Sequence, residues 1–227
     1  TGPILAAKAM EHATGKPWKT LMAEELFIPL GMRKSSSYVS DYPPGAILPS
    51  IAVDKYGNVT RQALFKTNST MHAAGGVVST LNDMAKWMQF NLLQSPQLSK
   101  DGTFFNQLHA ATTPQVKDYF SYKRSGYSLG WDIATYHGTA LLTRFGGYGG
   151  ISFHASFMPQ QQLAIVSFFN EERAHLLPHL AANYIYNLLI SPEQAQQRFI
   201  AEGERLNQSL LREQQTANEM SDPIQIS

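Results

Sequence analysis

The feature that most constrains the fold is a series of four short, closely spaced strand-like segments in the second half of the chain. They are rich in aromatic and β-branched residues and are separated by turn residues: Tyr127–Thr135, Thr139–Thr143, Ile151–Met158 and Leu163–Phe169. Parallel strands need crossover connections of a dozen or more residues, and these gaps are far shorter. The spacing therefore predicts an antiparallel meander, with an apolar helix over Leu176–Leu189 packed against it.

The residues before this sheet predict helices separated by loops. Pro3 and Pro17 each suit the first turn of a helix, and Thr80 with Asp83 forms a capping-box pattern at the start of another. A hairpin is expected to turn at 56–58 between Ile51–Val53 and a segment around 63–65. We therefore expect a mainly helical and loop-rich lobe over residues 1–125, sheet strands with a packing helix over 126–190, and a terminal helix with a polar tail over 191–227.

The composition excludes several classes of function. With 18 basic and 17 acidic residues the net charge is +1, which gives no electrostatic footprint for nucleic acid. The absence of cysteine removes disulfides, thiolate metal sites and cysteine nucleophiles. His175 and His179 have the spacing of helical metal ligands, but Pro178 lies between them and favours two helix-surface histidines instead. The sequence therefore indicates neither a metal nor a cofactor.

A local G-x-S-x-G pattern over Gly126–Gly130 makes Ser128 a candidate nucleophile of an α/β-hydrolase. In that fold a buried strand precedes the serine and a helix follows it. Here residues 117–124 are polar, and residues 131–136 favour a strand. The start of a strand is the favoured interpretation, and the hydrolase remains an alternative.

A glycine cluster over 146–150 lacks the G-x-G-x-x-G spacing, and the residues after it favour a strand, so it is not a phosphate-binding loop. Glycines at the start of a strand permit either a hairpin turn or the close approach of a ligand to the backbone. Local sequence leaves both interpretations open.

Six segments occur in an order that is more informative than any one of them. They are Thr14–Trp18, Pro29–Met32, Ala73–Thr80 with Asp83 and Trp87, Tyr127–Trp131, Phe145–Gly150, and Phe157–Pro159 with the strand that ends at Asn170. Together they resemble the C-terminal part of the serine β-lactamase and penicillin-binding-protein superfamily over residues 1 to about 190. The most similar branch contains class C β-lactamases, related esterases and D-amino-acid peptidases.

The resemblance implies an α/β (α+β) fold, in which an antiparallel sheet is covered by helices beside a helical lobe. It also implies a serine activated by lysine in S-x-x-K, a proton-relaying tyrosine in Y-x-N, and a K-T-G or H-x-G motif on a strand that borders the site. The serine would attack a carbonyl to form an acyl-enzyme, which water releases. No lysine here follows a serine by three positions, and Tyr56-Gly57-Asn58 suits a turn. We therefore expect the serine, lysine and tyrosine to lie in an N-terminal half outside this chain.

The third motif is recognisable but altered. The resemblance places Phe145 at its Lys or His position and Gly146 and Gly147 at its remaining positions, and it makes the backbone N–H of Tyr148 an oxyanion donor. Phe145 cannot donate a hydrogen bond or carry charge, and Arg144 is expected to point to the opposite face of the strand. The implied catalytic group is thus the Tyr148 N–H, and Arg144 joins Phe145, Gly146 and Gly147 as a substrate-binding residue.

Three interpretations follow. The first is the C-terminal portion of a serine hydrolase that acts on an amide, ester or β-lactam in a small molecule or peptide. The second, favoured by Phe145, is a non-catalytic relative that binds a peptide or protein partner in the cleft, and the third is the hydrolase using Ser128. Separation from the N-terminal half would expose strand edges and apolar surface, so an oligomer is expected. The family is compatible with a periplasmic or secreted protein, but Thr1–Leu5 shows no signal-peptide pattern and the compartment stays open.

Overall fold

The computed structural model describes residues 2–53, 57–61, 66–148, 150–171 and 175–221. Its α-helices are α1 (Gly2–Thr14), α2 (Trp18–Met22), α3 (Leu81–Leu92), α4 (Phe104–His109), α5 (Leu177–Ile190) and α6 (Pro192–Ser221). Its strands are β1 (Ile51–Val53), β2 (Val59–Arg61), β3 (Thr113–Pro114), β4 (Asp118–Tyr119), β5 (Tyr122–Tyr127), β6 (Asp132–Tyr136), β7 (Thr139–Tyr148), β8 (Ile151–Met158) and β9 (Leu163–Phe169). A π-helical turn over Ala23–Phe27 continues α2, and a 3-10 turn covers Val39–Asp41. Among the described helices, none is both long and apolar enough to cross a bilayer.

Strands β5 to β9 form an antiparallel meander, so the predicted mixed fold with an antiparallel sheet is confirmed. Within the described residues the sheet has seven strands, with β3 beside β5 on the main path and β4 also paired to β5. The predicted segment Tyr127–Thr135 was wrong as a single strand. Gly130 adopts φ +105° in a turn that separates β5 from β6, a conformation that glycine tolerates without a steric penalty.

Each face of the sheet is covered by helices. Helices α5 and α6 pack against each other, and α5 also packs on β8 and β9, while α3 packs on the same two strands. Two clusters of buried side chains account for the contacts of α5 and α3 with the sheet. The first contains Tyr122, Ala134, Tyr136, Leu141, Met158 and Tyr186; the second contains Met88, Trp131, Ala155 and Phe157.

Helix α3 begins as predicted, because the Thr80 hydroxyl accepts a hydrogen bond from the Asp83 N–H at 3.3 Å. The second half of the predicted capping box is not formed. The Asp83 carboxylate instead accepts hydrogen bonds from the Lys34 N–H at 2.6 Å and the Ser35 hydroxyl at 3.0 Å. This buried carboxylate therefore connects α3 to a loop distant in sequence.

Two further boundaries differ from expectation. Strand β1 pairs with β2, so the hairpin closes earlier than predicted; Tyr56 and the expected partner segment 63–65 lie outside the described residues. The sequence predicts a polar, frayed tail beyond Gln214, whereas the α6 backbone stays helical to Ser221.

Candidate functional site

The candidate site is built on the C-terminal half of β7, which extends past the end of β6. Strand β6 pairs with β7 only from Thr139 to Thr143, whereas β8 pairs with β7 from Leu142 to Tyr148. Residues 144–148 therefore have a partner strand on one side and, among the described strands, none on the other. Such an edge presents N–H and C=O groups to an extended ligand. We call residues 144–148 the free edge.

The strand register determines which backbone groups point out of the free edge. A two-residue turn at His137 and Gly138, with φ of 46° and 84°, joins β6 to β7, so the residues that flank it exchange hydrogen bonds. Bonded and non-bonded pairs alternate along an antiparallel ladder. Odd-numbered β7 residues therefore direct their N–H groups to the β6 side and even-numbered residues to β8. The Gly147 N–H points out of the free edge, and the Tyr148 N–H points to β8.

The Phe145 ring packs against two other aromatic rings. It stacks on Tyr119 with ring centroids 3.9 Å apart and an interplanar angle of 3°, and it meets the His179 ring of α5 nearly edge-on at 5.5 Å. Aromatic pairs in these geometries stabilise a packed layer. Phe145 therefore supports β7 from the α5 side and presents only its backbone to the free edge.

The Arg144 guanidinium lies beside a buried carboxylate. Its Nη1 is 3.8 Å from Oδ2 of Asp132, and its side chain remains 46% exposed. Asp132 also pairs with Arg124 at 3.3 Å, and its Oδ2 has no hydrogen-bond partner among the described residues. The guanidinium also lies 5.5 Å from the ring centroid of Tyr127. Arg144 is thus held at the free edge and keeps donors available for an anion.

The far end of the free edge is bordered by a lysine that sequence reasoning missed. Nζ of Lys66 lies 4.2 Å from the ring centroid of Tyr148, which is 47% exposed, and donates to the Gly75 carbonyl at 2.5 Å. Partial burial lowers the pKa of Lys66 below its ordinary value. The segment around Lys66 has no motif, and it lies far from β7 in sequence, so no sequence signal placed this lysine at the site.

The two glycines of the free edge differ in the space around them. A Cβ added to Gly146 would meet no atom within 4 Å, whereas one added to Gly147 would lie 3.2 Å from the Ile151 carbonyl oxygen. The residues between Arg144 and Tyr148 therefore leave the edge open for a ligand to approach the backbone. The hairpin interpretation of the glycine cluster is confirmed, because these residues lead from β7 into β8. The close approach of a ligand to their backbone stays a prediction.

The structure does not support Ser128 as a nucleophile. Its hydroxyl is buried and donates to the Trp131 carbonyl at 3.2 Å within the turn before β6. A strand does precede it, contrary to expectation, because Tyr122–Tyr127 form β5. No helix follows, since β6 begins at Asp132, and the strand–turn–helix arrangement of an α/β-hydrolase is absent from this segment.

His179 is not the surface residue that the sequence indicated. It is almost fully buried, and its Nδ1 lies 2.7 Å from Nδ1 of His154 on β8. His175 is more exposed and lies 3.5 Å from the Glu213 carboxylate. Across the described ranges, no group of three or more His, Asp or Glu side chains converges to hold a metal ion.

Comparison with known proteins places this chain in a family. A family model described as Beta-lactamase matches residues 1–185. The chain is 30% identical over 168 residues to the D-alanyl-D-alanine-carboxypeptidase/endopeptidase AmpH of Escherichia coli K12, covering 70% of this chain and 41% of that protein. It is 26% identical over 168 residues to the unguisins hydrolase ungD' of Aspergillus campestris, covering 72% of this chain and 31% of that protein. The chain therefore spans well under half the length of these relatives.

Solved structures share the fold. The octameric penicillin-binding protein homologue from Pyrococcus abyssi superposes with a TM-score of 0.72 at 20% identity, covering 84% of this chain and 41% of that one. The D-amino acid amidase from Ochrobactrum anthropi SV3 gives a TM-score of 0.62 at 20% identity, covering 75% of this chain and 48% of that one. The family match extends over most of the sequence, and the chain belongs to the beta-lactamase family of serine hydrolases and penicillin-binding proteins.

Proposed function

We propose that these residues form the C-terminal portion of a serine hydrolase that cleaves an amide, ester or β-lactam through an acyl-enzyme. The nucleophilic serine and its lysine and tyrosine would come from a segment outside this chain. The observation that carries the proposal is the free edge of β7, where the Gly147 N–H and the Arg144 guanidinium lie along the same unpaired side of the strand. The greater length of the relatives supports it, as does the lack of any S-x-x-K sequence in these residues.

The oxyanion donor in this proposal is the N–H of Gly147, in place of the Tyr148 N–H that the sequence resemblance suggested. The strand register supports this change, because only a donor that points out of the ladder can reach a substrate carbonyl. A second donor would come from the serine itself. Each donor of this kind contributes a factor of about 10²–10³ to the rate.

Arg144 would be the cationic residue of the third motif, in place of Phe145. The motif then begins one residue earlier, as Arg144-Phe145-Gly146, and Gly147 follows as the donor. The packing of the Phe145 ring on Tyr119 and the partial exposure of Arg144 both favour this assignment. A guanidinium at the free edge would bind a carboxylate of the substrate with paired hydrogen bonds.

We favour a peptide amide as the substrate. One relative is named a D-alanyl-D-alanine-carboxypeptidase/endopeptidase, and the solved D-amino acid amidase shares the fold. An unpaired strand edge is suited to an extended peptide, since main-chain hydrogen bonds would align the chain along β7.

Intact-mass measurement tests the proposal. Two proteins are compared: the 227-residue chain, and the same chain extended at its N-terminus by the residues encoded upstream. Each is incubated with a fluorophosphonate and, separately, with a penicillin. We expect no adduct on the shorter chain and one adduct on the extended chain, unchanged by Ser128→Ala. An adduct on the shorter chain would overturn the proposal, and no adduct on either would favour the non-catalytic binding relative.

A further inference from the structure

Lys66 joins two segments that border the free edge. Its ammonium lies over the Tyr148 ring at 4.2 Å, and it donates to the Gly75 carbonyl at 2.5 Å, so one side chain contacts both the β7–β8 hairpin and the loop before α3. A lysine over an aromatic face is attracted by the ring quadrupole. These two contacts fix where its charge lies.

This charge lies at the opposite end of the free edge from Arg144. Tyr148 directly follows Gly147, whereas Arg144 precedes Gly147 by three residues, which corresponds to roughly 10 Å along a strand. A substrate whose scissile carbonyl binds the Gly147 N–H would therefore extend towards Arg144 on one side and towards Lys66 on the other. The two cations would contact different parts of the same substrate.

The ammonium of Lys66 has unused binding capacity. One of its three N–H groups donates to the Gly75 carbonyl, which leaves two for another acceptor. No described carboxylate lies within ion-pair distance of the ammonium. Partial burial lowers the pKa of Lys66, so the ammonium is already partly withdrawn from water. An anion that reaches a partly desolvated cation is bound more strongly than one at a fully hydrated surface.

We propose that Lys66 is a specificity-determining residue that binds a carboxylate on the part of the substrate that lies beside Tyr148. The inference rests on the proposed function, because it places the scissile carbonyl at Gly147. If the Arg144 guanidinium binds the free carboxylate of the leaving group, the part of the substrate beside Tyr148 is the acyl side of the cleaved bond, and the substrate class is a peptide with an acidic side chain there. Arg144 is a separate site for the other side of that bond.

The test compares two peptides that differ only in glutamate or glutamine on the acyl side, with the N-terminally extended protein as enzyme. We expect kcat/KM to favour the glutamate peptide by about 10-fold, as for a hydrogen bond to a charged group. Lys66→Met should bring the ratio to about one, and Lys66→Arg should keep most of it. Lys100→Met, at an exposed lysine, is the matched control and should leave the ratio unchanged.

The outcomes separate this inference from the proposed function. Turnover with a ratio that Lys66→Met does not change would overturn the role of Lys66 and leave the hydrolase proposal intact. If neither peptide is cleaved, the hydrolase proposal fails, and the two dissociation constants measured by calorimetry decide the role of Lys66. Equal constants for the two peptides would overturn it, whereas a glutamate preference lost in Lys66→Met would sustain it as a binding site.

Discussion

Adjacent glycines at the free edge have different hydrogen-bonding roles although neither carries a side chain. Gly146 pairs with Phe153 in the bonded register of the β7–β8 ladder, whereas the Gly147 N–H points away from β8. A change at one position therefore acts on the sheet, and a change at the next acts on whatever binds at the edge. This difference allows the oxyanion assignment to be tested with minimal changes to the chain.

Gly147→Pro removes the N–H that faces out of the edge, and it removes no ladder hydrogen bond. In the N-terminally extended protein we expect the acylation rate to fall by about 10²–10³. The melting temperature should fall by a smaller amount than in the Gly146 variant, because the only added strain is a Cβ that would lie 3.2 Å from the Ile151 carbonyl oxygen. Rapid-mixing kinetics with a penicillin, together with a melting curve, measure both quantities.

Gly146→Pro is the matched control, because it removes a hydrogen bond to β8 and should lower the melting temperature. Amide hydrogen exchange of the unmodified protein checks the register, since Gly146 should be protected and Gly147 should not. Normal acylation by a folded Gly147→Pro variant would exclude Gly147 as the donor.

At the scale of elements, β8 and α5 are joined by a buried chain of hydrogen bonds. From Tyr119 it runs to His179 at 3.3 Å, to His154 at 2.7 Å, to Ser156 at 2.7 Å and to Tyr186 at 2.9 Å. The two imidazoles face each other through Nδ1 atoms, so one of them must accept and therefore carry no proton there. This series of hydrogen-bonded side chains lies behind Phe145, because His179 belongs to it and also contacts the Phe145 ring.

Acidification should weaken the contact between His154 and His179 and so lower the free energy of unfolding. Burial lowers the pKa of His179 to about 4, with a further contribution from the charge of His175, and lowers that of His154 well below its usual range. Unfolded histidines take up protons near pH 6.5, so stability is fully present above that pH and is lost as the pH falls towards 4. The shift at His179 corresponds to roughly 3 kcal/mol of unfolding free energy.

Urea denaturation at several pH values between 7 and 4.5 measures this loss. In His179→Gln the free energy of unfolding should depend less steeply on pH, whatever its value at pH 7. Some dependence should remain, because burial also lowers the pKa of His109 to about 4. Parallel pH profiles for the two proteins would show that His179 does not titrate as its burial requires.

The elements also show how far sequence reasoning extends. Strands β8 and β9 were predicted at their observed bounds, because they are aromatic and β-branched runs bounded by turn residues. Strand β5 was missed because Lys123 lies on its exposed side while Tyr122 is buried, which makes its sequence look polar. The sequence could not show that the Phe145 ring is packed while the Arg144 side chain stays partly exposed. A shift of one residue in the register moves each side chain to the opposite face of a strand, and the motif alone does not fix that register.

The whole molecule leaves a long apolar strand at one edge of its sheet. Strand β9 pairs only with β8 among the described strands, and its seven residues include no charge and no proline. Further apolar side chains are exposed near the end of α5, at Ile185, Leu188 and Leu189. Unprotected edges of this kind pair with other chains. The two surfaces together favour self-association of the 227-residue chain, or coverage by a further segment of its domain.

A charged residue on β9 should distinguish pairing at this strand edge from non-specific association through other exposed apolar side chains. Phe168 is 38% exposed on the edge strand, so Phe168→Lys should lower the weight-average mass in sedimentation velocity by hindering strand pairing. Leu129→Lys removes a comparable exposed apolar side chain in the turn before β6 and should leave association unchanged. The N-terminally extended protein should associate less than the shorter chain if its added segment covers β9. Equal association of all four proteins would mean that β9 is not the contact, and the exposed side of α5 would then be the surface to alter.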